Sequence, residues 1–523
     1  MHRRIAAATG IMMASVFLSR VLGLLRNWAV AHFAGAGAAT NPFFAAFTLP
    51  DFLNYLIAGG SLSITFIPVF AKYAAEGNEE EGWRVFSTVI TVMGIALILL
   101  ICVGEIFAAQ LVDHVIAPGF HPAEHELTIS LTRLMLPAQL FFYEGSILAA
   151  VQYAKHQFTI PAFAPLIYNS CVILGGVLLF SRIGITGFSV GVVVGAILGN
   201  FLLQVYGAHR AGARFTPNLR VGHPGFVLFL KLSVPIMLAL GLTFADDWIT
   251  RHYASYLGDA VTWLQYAKNL MQVPLGIVGQ ALGVASFPIL AQLYSEKKFG
   301  DLNRVLNGSV KALIISLVPI SALMMAQSEP LMRLFFTRTR LGSGDYRAMG
   351  AALVFYSLGL IAWGTQYILA RGFYATRNTI VPAVVGTITT LVSLPLYVLL
   401  MHSMGFRGLA LASSIGIGAY TVVLFVMLAR RTKNPDTGGV VAFFFKVAAA
   451  SVVTGVACYR FAGWLETLVA WQRPLYALLV LAVDTTMGAG LLYVLLKAFR
   501  VRELDTYLRR GFGLLSRRAA GRA

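Results

Sequence analysis

Long apolar windows recur from one end of the chain to the other, and each is close to the ~20 residues that a helix needs to cross a bilayer. Short polar or basic stretches separate them, and none of these stretches is long enough to form a soluble domain. The pattern predicts an all-α polytopic membrane protein with about fourteen transmembrane helices. These helices are predicted at 9–33, 41–71, 85–112, 127–153, 158–180, 185–208, 225–250, 262–294, 308–330, 348–371, 379–401, 406–429, 439–461 and 474–498.

The first window contains two arginines, Arg20 and Arg26. A charge at the bilayer centre costs roughly 2.5–3.5 kcal/mol on an insertion scale, so such residues usually face protein or water. Arginine suits phosphate because its planar fork donates paired hydrogen bonds and stays charged. We interpret the pair as lining a cationic cavity; the alternative is that both side chains bind helix-end carbonyls or lipid phosphate.

The second and eighth windows are interrupted by polar residues. The second begins at Asn41-Pro42 and includes Asp51, and the eighth carries Lys268 and Gln272. Broken, polar helices are tolerated at membrane depth only where they line protein or a water-filled cavity. Both helices are therefore predicted to line a polar interior.

An internal repeat relates the two halves. Tyr153-Ala precedes Pro161 by the same interval as Tyr374-Ala precedes Pro382, about 220 residues later. The motifs around Pro68 and Pro288 give nearly the same offset. Equal numbers of helices separate the motifs, which predicts two parallel six-helix repeats with a transport path between them. The predicted parts are an N-lobe, a C-lobe, two additional helices and a basic cytoplasmic tail, at 1–220, 221–435, 436–498 and 499–523.

Composition supports a membrane protein. Of 523 residues, 58% are hydrophobic and only 12% are charged, against about 25% in soluble domains. The net charge of +18 falls mostly on alternate loops and on the tail, which places both termini in the cytoplasm by the positive-inside rule. We therefore expect no nucleic-acid partner. One basic cluster lies on the opposite side and is not explained by topology: Arg333, Arg338, Arg340 and Arg347.

The sequence contains few of the motifs that are typical of enzymes or metal sites. Cys102, Cys171 and Cys458 all lie in apolar windows without a CxxC pair, which predicts core positions and no metal. His121 and His125 flank Glu124 in a loop, a weak metal pattern. No GxSxG, HExxH or phosphate-loop motif occurs. Asp246 and Asp247 suggest a cation site, but we favour a solvated helix end or an ion pair with Arg251.

Ordered motifs along nearly the whole chain resemble the MurJ/MviN family of lipid II flippases, within the multidrug/oligosaccharidyl-lipid/polysaccharide exporter superfamily. The resemblance rests on these segments: Ser19-Arg20-Val-Leu-Gly23-Leu-Leu-Arg26, Asn41-Pro-Phe-Phe-Ala-Ala-Phe-Thr-Leu-Pro50, Phe66-Ile-Pro-Val-Phe, Ile160-Pro-Ala-Phe-Ala-Pro165 with Asn169, Arg251 before Ala254-Ser255, Tyr266-Ala267 and Phe373-Tyr-Ala. Each segment alone is weak, and their order is specific.

The resemblance implies a bacterial inner-membrane transporter, not an enzyme, that moves undecaprenyl-pyrophosphate-linked peptidoglycan precursor to the periplasmic leaflet by alternating access. Membrane lipids are the other expected partners, and a monomer is expected. The resemblance implies no cofactor, and the coupling cation, Na⁺ or H⁺, stays open. The predicted substrate-binding residues are Arg20, Arg26, Arg251, Asn41, Lys268 and Gln272, with no catalytic or metal residue.

Several cavity charges of the family pattern are replaced here. Acids are frequent in the family where this chain has Asn27, Asn41 and Gln272, and a basic pair is frequent at Asn54-Tyr55. An acid–base pair is frequent at Lys268-Asn269. We favour drift with compensation. The alternatives are a divergent paralogue that exports another polyprenyl-linked glycan, a cation-coupled drug exporter, or a membrane-embedded glycosyltransferase, ligase or scaffold.

Overall fold

The structure is a computed structural model that describes residues 2–58, 61–238, 242–376, 378–468, 474–501 and 503. Every regular element in these ranges is helical, which confirms the all-α prediction. The helices of the first half are α1 (His2–Ala34), α2 (Thr40–Ala46), α3 (Thr48–Leu53), α4 (Ser61–Ala75), α5 (Glu79–Leu111), α6 (Pro122–Met135), α7 (Ala138–Ala154), α8 (Thr159–Ile183), α9 (Thr186–Gly195), α10 (Leu203–Arg210), α11 (Pro224–Leu238) and α12 (Leu242–Ala254).

The second half continues in the same form. Its helices are α13 (Ala260–Pro274), α14 (Gln280–Ser295), α15 (Phe299–Ala326), α16 (Ser328–Phe335), α17 (Ser343–Leu358), α18 (Leu360–Ala375), α19 (Ile380–Met404), α20 (Phe406–Arg431), α21 (Thr437–Leu468) and α22 (Pro474–Ala498). Single π-helical segments occur at Asn54–Ala58, Val112–Ile116, Ala196–Leu202 and Leu275–Gly279.

Ten of the predicted windows are found as membrane-length helices. Nine stretches of the described chain are long and apolar enough to cross a bilayer, and α17 with α18 forms a tenth that is bent by 42°. The four remaining windows coincide with α1, α2 to α4, α11 with α12, and α13 with α14. These four are polar or interrupted, so the total of fourteen stays a prediction.

The two predicted broken helices are interrupted in the same way. In the second window a π-helical segment at Asn54–Ala58 precedes α4, and in the eighth window one at Leu275–Gly279 leads into α14. Each following helix contains the proline that anchored the repeat, Pro68 or Pro288. Such π-helical segments often mark functional sites in helices. The repeat remains a prediction, and these matching breaks support it.

The chain forms two compact units. The first comprises Met1–Tyr266, Arg338–Asp345 and Gly386–Leu409, and the second comprises Ala267–Thr337, Tyr346–Val385 and Ala410–Ala523. The core of the first unit is an aromatic cluster on α4 and α5 against α7 and α11, formed by Phe66, Phe70, Trp83, Phe86, Tyr143 and Phe229. In lipid, such cores are stabilised chiefly by close packing, because lipid tails are as apolar as the side chains.

Glycines allow close helix contacts in the first unit. A Cβ on Gly191 would lie 2.5 Å from the carbonyl oxygen of Cys171, and one on Gly199 would lie 2.9 Å from that of Ala164. This contact between α8 and the α9 region is a small-residue helix interface, formed by the Gly191xxxGly195xxxGly199 motif. A Cβ on Gly145 of α7 would lie only 1.6 Å from the carbonyl oxygen of Asn200, within the third π-helical segment.

Three expectations are corrected. Cys102 is exposed on α5, so only Cys458 among the cysteines is a fully buried core residue. The polar stretch between the second and third predicted windows is partly helical, because α5 begins at Glu79 and its first turn holds three acids, which suits the positive end of the helix dipole. Arg333 of the outer basic cluster pairs with Glu329 at 2.9 Å, so this charge is internally neutralised.

Candidate functional site

Arg251 lies in the last turn of α12 and its side chain is only 11% exposed. Its Nη1 donates to Thr48 Oγ1 at 3.2 Å and to Asp51 Oδ2 at 3.4 Å, and its Nη2 donates to Gln265 Oε1 at 3.4 Å. Its Nε is buried and finds no acceptor in the described residues. These contacts are long, and the donors of the guanidinium are incompletely used. The geometry leaves Arg251 able to bind an additional anionic oxygen.

Asp51, the partner of Arg251, also lines a cavity of about 230 Å³ in the first unit. Another lining residue, Asn54, donates through Nδ2 to Gln139 Oε1 at 3.2 Å. The remaining walls are mainly apolar and aromatic. The complete lining is Phe47, Pro50, Asp51, Asn54, Met135, Gln139, Phe142, Tyr168 and Val192. The cavity adjoins the start of the π-helical segment at Asn54, as expected for irregular backbone at membrane depth.

The two arginines of α1 are half-buried. Arg26 lies within electrostatic reach of Asp51 and of Tyr168, but neither it nor Arg20 makes a hydrogen bond or ion pair with the described residues. The α1 helix is fixed to α8 by Ser15, which donates to the Ala162 carbonyl. The first unit therefore holds two guanidinium groups near one carboxylate, those of Arg26 and Arg251.

Asn41 caps the start of α13. Its Oδ1 accepts hydrogen bonds from the Thr262 backbone N–H at 3.1 Å and from Thr262 Oγ1 at 2.7 Å. Its Nδ2 donates to the Gly258 carbonyl at 3.2 Å, and Asp259 Oδ1 lies 3.5 Å away. The residue is 1% exposed. All polar atoms of its side chain are engaged within the protein, so the structure gives this predicted site residue a positioning role for α13.

Lys268 and Gln272 lie further along α13, in the second unit. Lys268 is buried, and its Nζ lies 5.8 Å from the ring centroid of Tyr356 and 5.4 Å from that of Trp363. The two electron-rich rings stabilise its charge by cation–π contact. Gln272 is half-buried. The predicted residues are thus divided: Arg20, Arg26, Asn41 and Arg251 belong to the first unit, and Lys268 and Gln272 to the second.

The acidic pair on α12 differs from the expectation. Asp246 lies inside the helix and is 2% exposed, so it is not at a solvated end. It accepts a hydrogen bond from the Tyr397 hydroxyl, and the ion pair that the structure records for Arg251 is with Asp51. The histidines predicted in a loop lie at the start of α6, where His121 is the N-cap, and His125 pairs with Asp113. The described residues contain no group of three or more metal-ligating side chains.

Three contributors to the site were absent from the sequence-based set: Thr48, which binds Arg251, and Gln139 and Tyr168, which line the cavity. They lie on α3, α7 and α8, and nothing local in the sequence distinguishes them from ordinary polar residues of helices. Asp51 carried a usable signal, because an acid in an apolar window is costly unless it has a partner. Its partner, Arg251, lies 200 residues later in the chain, and only the fold identifies it.

The profile of the lipid II flippase MurJ family matches residues 30–480, which is most of the chain. The chain belongs to the MurJ family. Among its relatives is the lipid II flippase MurJ of Burkholderia cenocepacia, which is 27% identical over 445 residues, covering 83% of this chain and 86% of that protein. The probable lipid II flippase MurJ of Vibrio cholerae is 24% identical, covering 96% of this chain and 98% of that protein.

Solved structures agree in fold. A lipid II flippase MurJ in an inward closed conformation matches with a TM-score of 0.77 and 21% identity, covering 94% of this chain and 99% of that one. An inward-facing multidrug resistance MATE family transporter of the MOP superfamily matches with a TM-score of 0.64 and 14% identity, covering 81% and 98%. This MurJ family member is therefore a multi-pass membrane protein with the transporter fold shared by MurJ and MATE proteins.

Proposed function

We propose that this protein is a lipid II flippase of the bacterial inner membrane, a transporter that carries the head group of the peptidoglycan precursor from the cytoplasmic to the periplasmic leaflet by alternating access. Family membership supports the class of cargo. The observation that carries the proposal is the environment of Arg251, a buried guanidinium with spare donors beside a cavity. A pyrophosphate supplies the anionic oxygens that such donors require.

Charge in the first unit favours an anionic cargo. Arg20 and Arg26 have no hydrogen-bond or ion-pair partner among the described residues, while Asp51 is engaged by Arg251. Unneutralised cations are costly in a membrane interior. A bound pyrophosphate lowers that cost, which gives binding energy at the part of the lipid that must cross the bilayer. The prenyl tail needs no such site because it stays in lipid. Arg20, Arg26 and Arg251 are the proposed contacts.

The remaining elements of the proposal follow from the sequence. The basic loops place both termini in the cytoplasm, and fourteen spans in two six-helix lobes plus two additional helices fit that even count. We propose that the protein acts as a monomer. Lys268 and Gln272 are proposed as further cargo contacts, whereas Asn41 is proposed to position α13.

Complementation tests the proposal. The chain is expressed in a bacterium depleted of its own lipid II flippase, membrane insertion is confirmed, and growth and wall synthesis are scored. Wild type is expected to rescue, and the Arg26→Ala and Arg251→Ala variants are expected to fail at equal membrane abundance. Arg304→Ala is the matched control, because that arginine is 80% exposed and pairs only locally with Asp301. Rescue by all arginine variants would refute the site.

Two alternatives give different results. A paralogue that exports another polyprenyl-linked glycan would insert well but fail to rescue, and a different lipid would copurify with it. A cation-coupled exporter would depend on acids, so Asp246→Asn would abolish activity while the arginine variants remained active. The burial of Asp246 and its hydrogen bond from Tyr397 are the observations in favour of this second alternative.

A further inference from the structure

One carboxylic acid lies within the apolar span α22 of the second unit. Asp484 follows Pro474 by about 15 Å along the helix axis, which places it well inside the span. Its side chain is fully buried, whereas the preceding residue, Val483, is 48% exposed. The acid thus points into the protein. It belongs to none of the elements that form the arginine cavity of the first unit.

The side chain has an unusual set of partners. Gln327, just after the end of α15, donates through Nε2 to Asp484 Oδ2. The hydroxyl of Thr485 donates to Gln327 Oε1 at 3.3 Å. The other carboxyl oxygen, Oδ1, is buried and has no hydrogen-bond partner. On α21, the thiol of Cys458 contacts the backbone carbonyl of Asp484 at 3.7 Å.

No cation neutralises this acid within the described residues. On α16, which packs against α22, Arg333 is occupied by Glu329 at 2.9 Å. On α15, Lys311 is bound to Asp436 at 3.5 Å and Glu503 at 3.4 Å. From α21, the titratable group that contacts Asp484 is the thiol of Cys458, which is not a cation.

A neutral carboxylic acid fits this environment better than a carboxylate does. Burying an unpaired carboxylate in a medium of low dielectric constant is costly, and binding of a proton removes most of that cost. A carboxylate only accepts hydrogen bonds, whereas a carboxylic acid also donates one. If the side-chain amide of Gln327 rotates by half a turn, its oxygen accepts a hydrogen bond from the protonated Asp484 and its nitrogen donates one to the Thr485 hydroxyl. The neutral acid therefore keeps both contacts of Gln327.

We propose that Asp484 is a proton-binding site in the membrane interior, closed by Gln327 and Thr485 at the contact between the end of α15 and α22. On binding, an O–H bond forms on the carboxylate and a hydronium ion from the aqueous phase becomes water. Release is the reverse reaction, and it requires water to reach the carboxyl group. Proton exchange therefore requires the contact between Gln327 and α22 to open.

Infrared spectroscopy tests this directly. The full-length protein is reconstituted in lipid bilayers without cargo, and the carbonyl band of protonated carboxylic acids is followed by pH titration and transfer into D₂O. We expect a band at neutral pH that is absent in Asp484→Asn, disappears reversibly at alkaline pH, and shifts in D₂O. Because no cargo is present, the result does not depend on lipid II being the substrate.

Two variants sharpen the interpretation. Glu329→Gln removes a partly buried acid that has a cationic partner, so it is expected to leave the band unchanged. Thr485→Val weakens the closure around Asp484, and it is expected to speed the D₂O shift at least tenfold without removing the band. The proposal is overturned if no band depends on Asp484 at neutral pH, or if the band resists both alkaline titration and D₂O exchange.

Discussion

Replacement of Asn41 tests whether a residue first assigned to the cargo site instead positions a helix. In Asn41→Ala, the buried Thr262 hydroxyl and the Gly258 carbonyl lose this partner, and the Thr262 N–H keeps only the Asp259 carbonyl at 3.1 Å. Loss of an N-terminal cap costs about 0.5–2 kcal/mol. A buried group left without a hydrogen bond costs about 1–3 kcal/mol. Because these terms overlap, we expect a total destabilisation of roughly 2–4 kcal/mol.

Asn41→Asp distinguishes capping from electrostatics. The aspartate still accepts from Thr262, but its second oxygen faces the Gly258 carbonyl and the carboxylate of Asp259 where Nδ2 donated before. Asp259 lies in the loop before α13, where burial already raises its pKa, Asp345 raises it further, and the hydrogen bond from Asn41 opposes the rise. We expect Asn41→Asp to remove that opposing hydrogen bond and to raise the pKa of Asp259 further.

The sign of the pH effect follows from linkage. A carboxyl group whose pKa is higher in the folded than in the unfolded protein contributes stability at pH values below its unfolded pKa, and that contribution is lost as pH rises through the folded pKa. Asn41→Asp should therefore be closer to wild type in mildly acidic buffer than at neutral pH. Asn41→Ala loses the same hydrogen bond to Asp259 but adds no charge, so its destabilisation should change less between the two pH values.

The assay is thermal unfolding of purified protein in detergent at neutral and mildly acidic pH, compared at a fixed heating rate because membrane proteins often unfold irreversibly. Gly23→Ala on α1 is a neutral control, since a Cβ there meets no atom within 4 Å. The capping argument is refuted if Asn41→Ala unfolds at the wild-type temperature. Loss of rescue by Asn41→Ala at wild-type stability would return the residue to the cargo site.

Two further predictions concern packing and pH. Gly145→Ala places a methyl group 1.6 Å from the Asn200 carbonyl oxygen, so it should destabilise by at least the roughly 1–3 kcal/mol typical of overpacking, while Gly23→Ala leaves the unfolding temperature unchanged. The hydrogen bond from His223 lowers the pKa of Glu81 below its ordinary value of 4.5, a contribution to stability that is present above that pH and lost as pH falls through the folded pKa. His223→Phe should therefore flatten the acid limb of the stability profile below pH 4.5, the ordinary pKa of the glutamate, and an unchanged profile would contradict it.

The fold was largely predictable because apolar windows reflect a single requirement, the thickness of the bilayer. Ten windows appear as membrane-length helices, and the polar interruptions of the second and eighth appear as π-helical segments. The form of these interruptions was not predictable. A π-helical segment depends on which backbone groups find partners, and packing in the folded protein decides that.

The candidate site was less predictable, because its contacts join distant parts of the chain. Arg251 was predicted as a cargo contact from a family motif, and its partners Thr48 and Asp51 lie about 200 residues earlier. Asn41 was chosen for its place in a family motif, and its contact with Thr262 spans 221 residues. A polar residue in an apolar helix signals a partner, and the sequence does not show whether that partner is a helix end or a cargo.

The distinction between a helix end and a cargo as partner explains one of the charges of the family pattern that this chain replaces, the one at position 41. An acid at position 41 would cap α13 as an asparagine does, but it would add a second negative charge beside Asp259. The asparagine keeps the cap and donates a hydrogen bond to the carboxylate of Asp259. This substitution conserves the cap on α13, and it changes the local charge and the contact with Asp259. It therefore favours drift with compensation over a change of cargo, and predicts that Asn41→Asp, unlike Arg251→Ala, still rescues growth at permissive temperature.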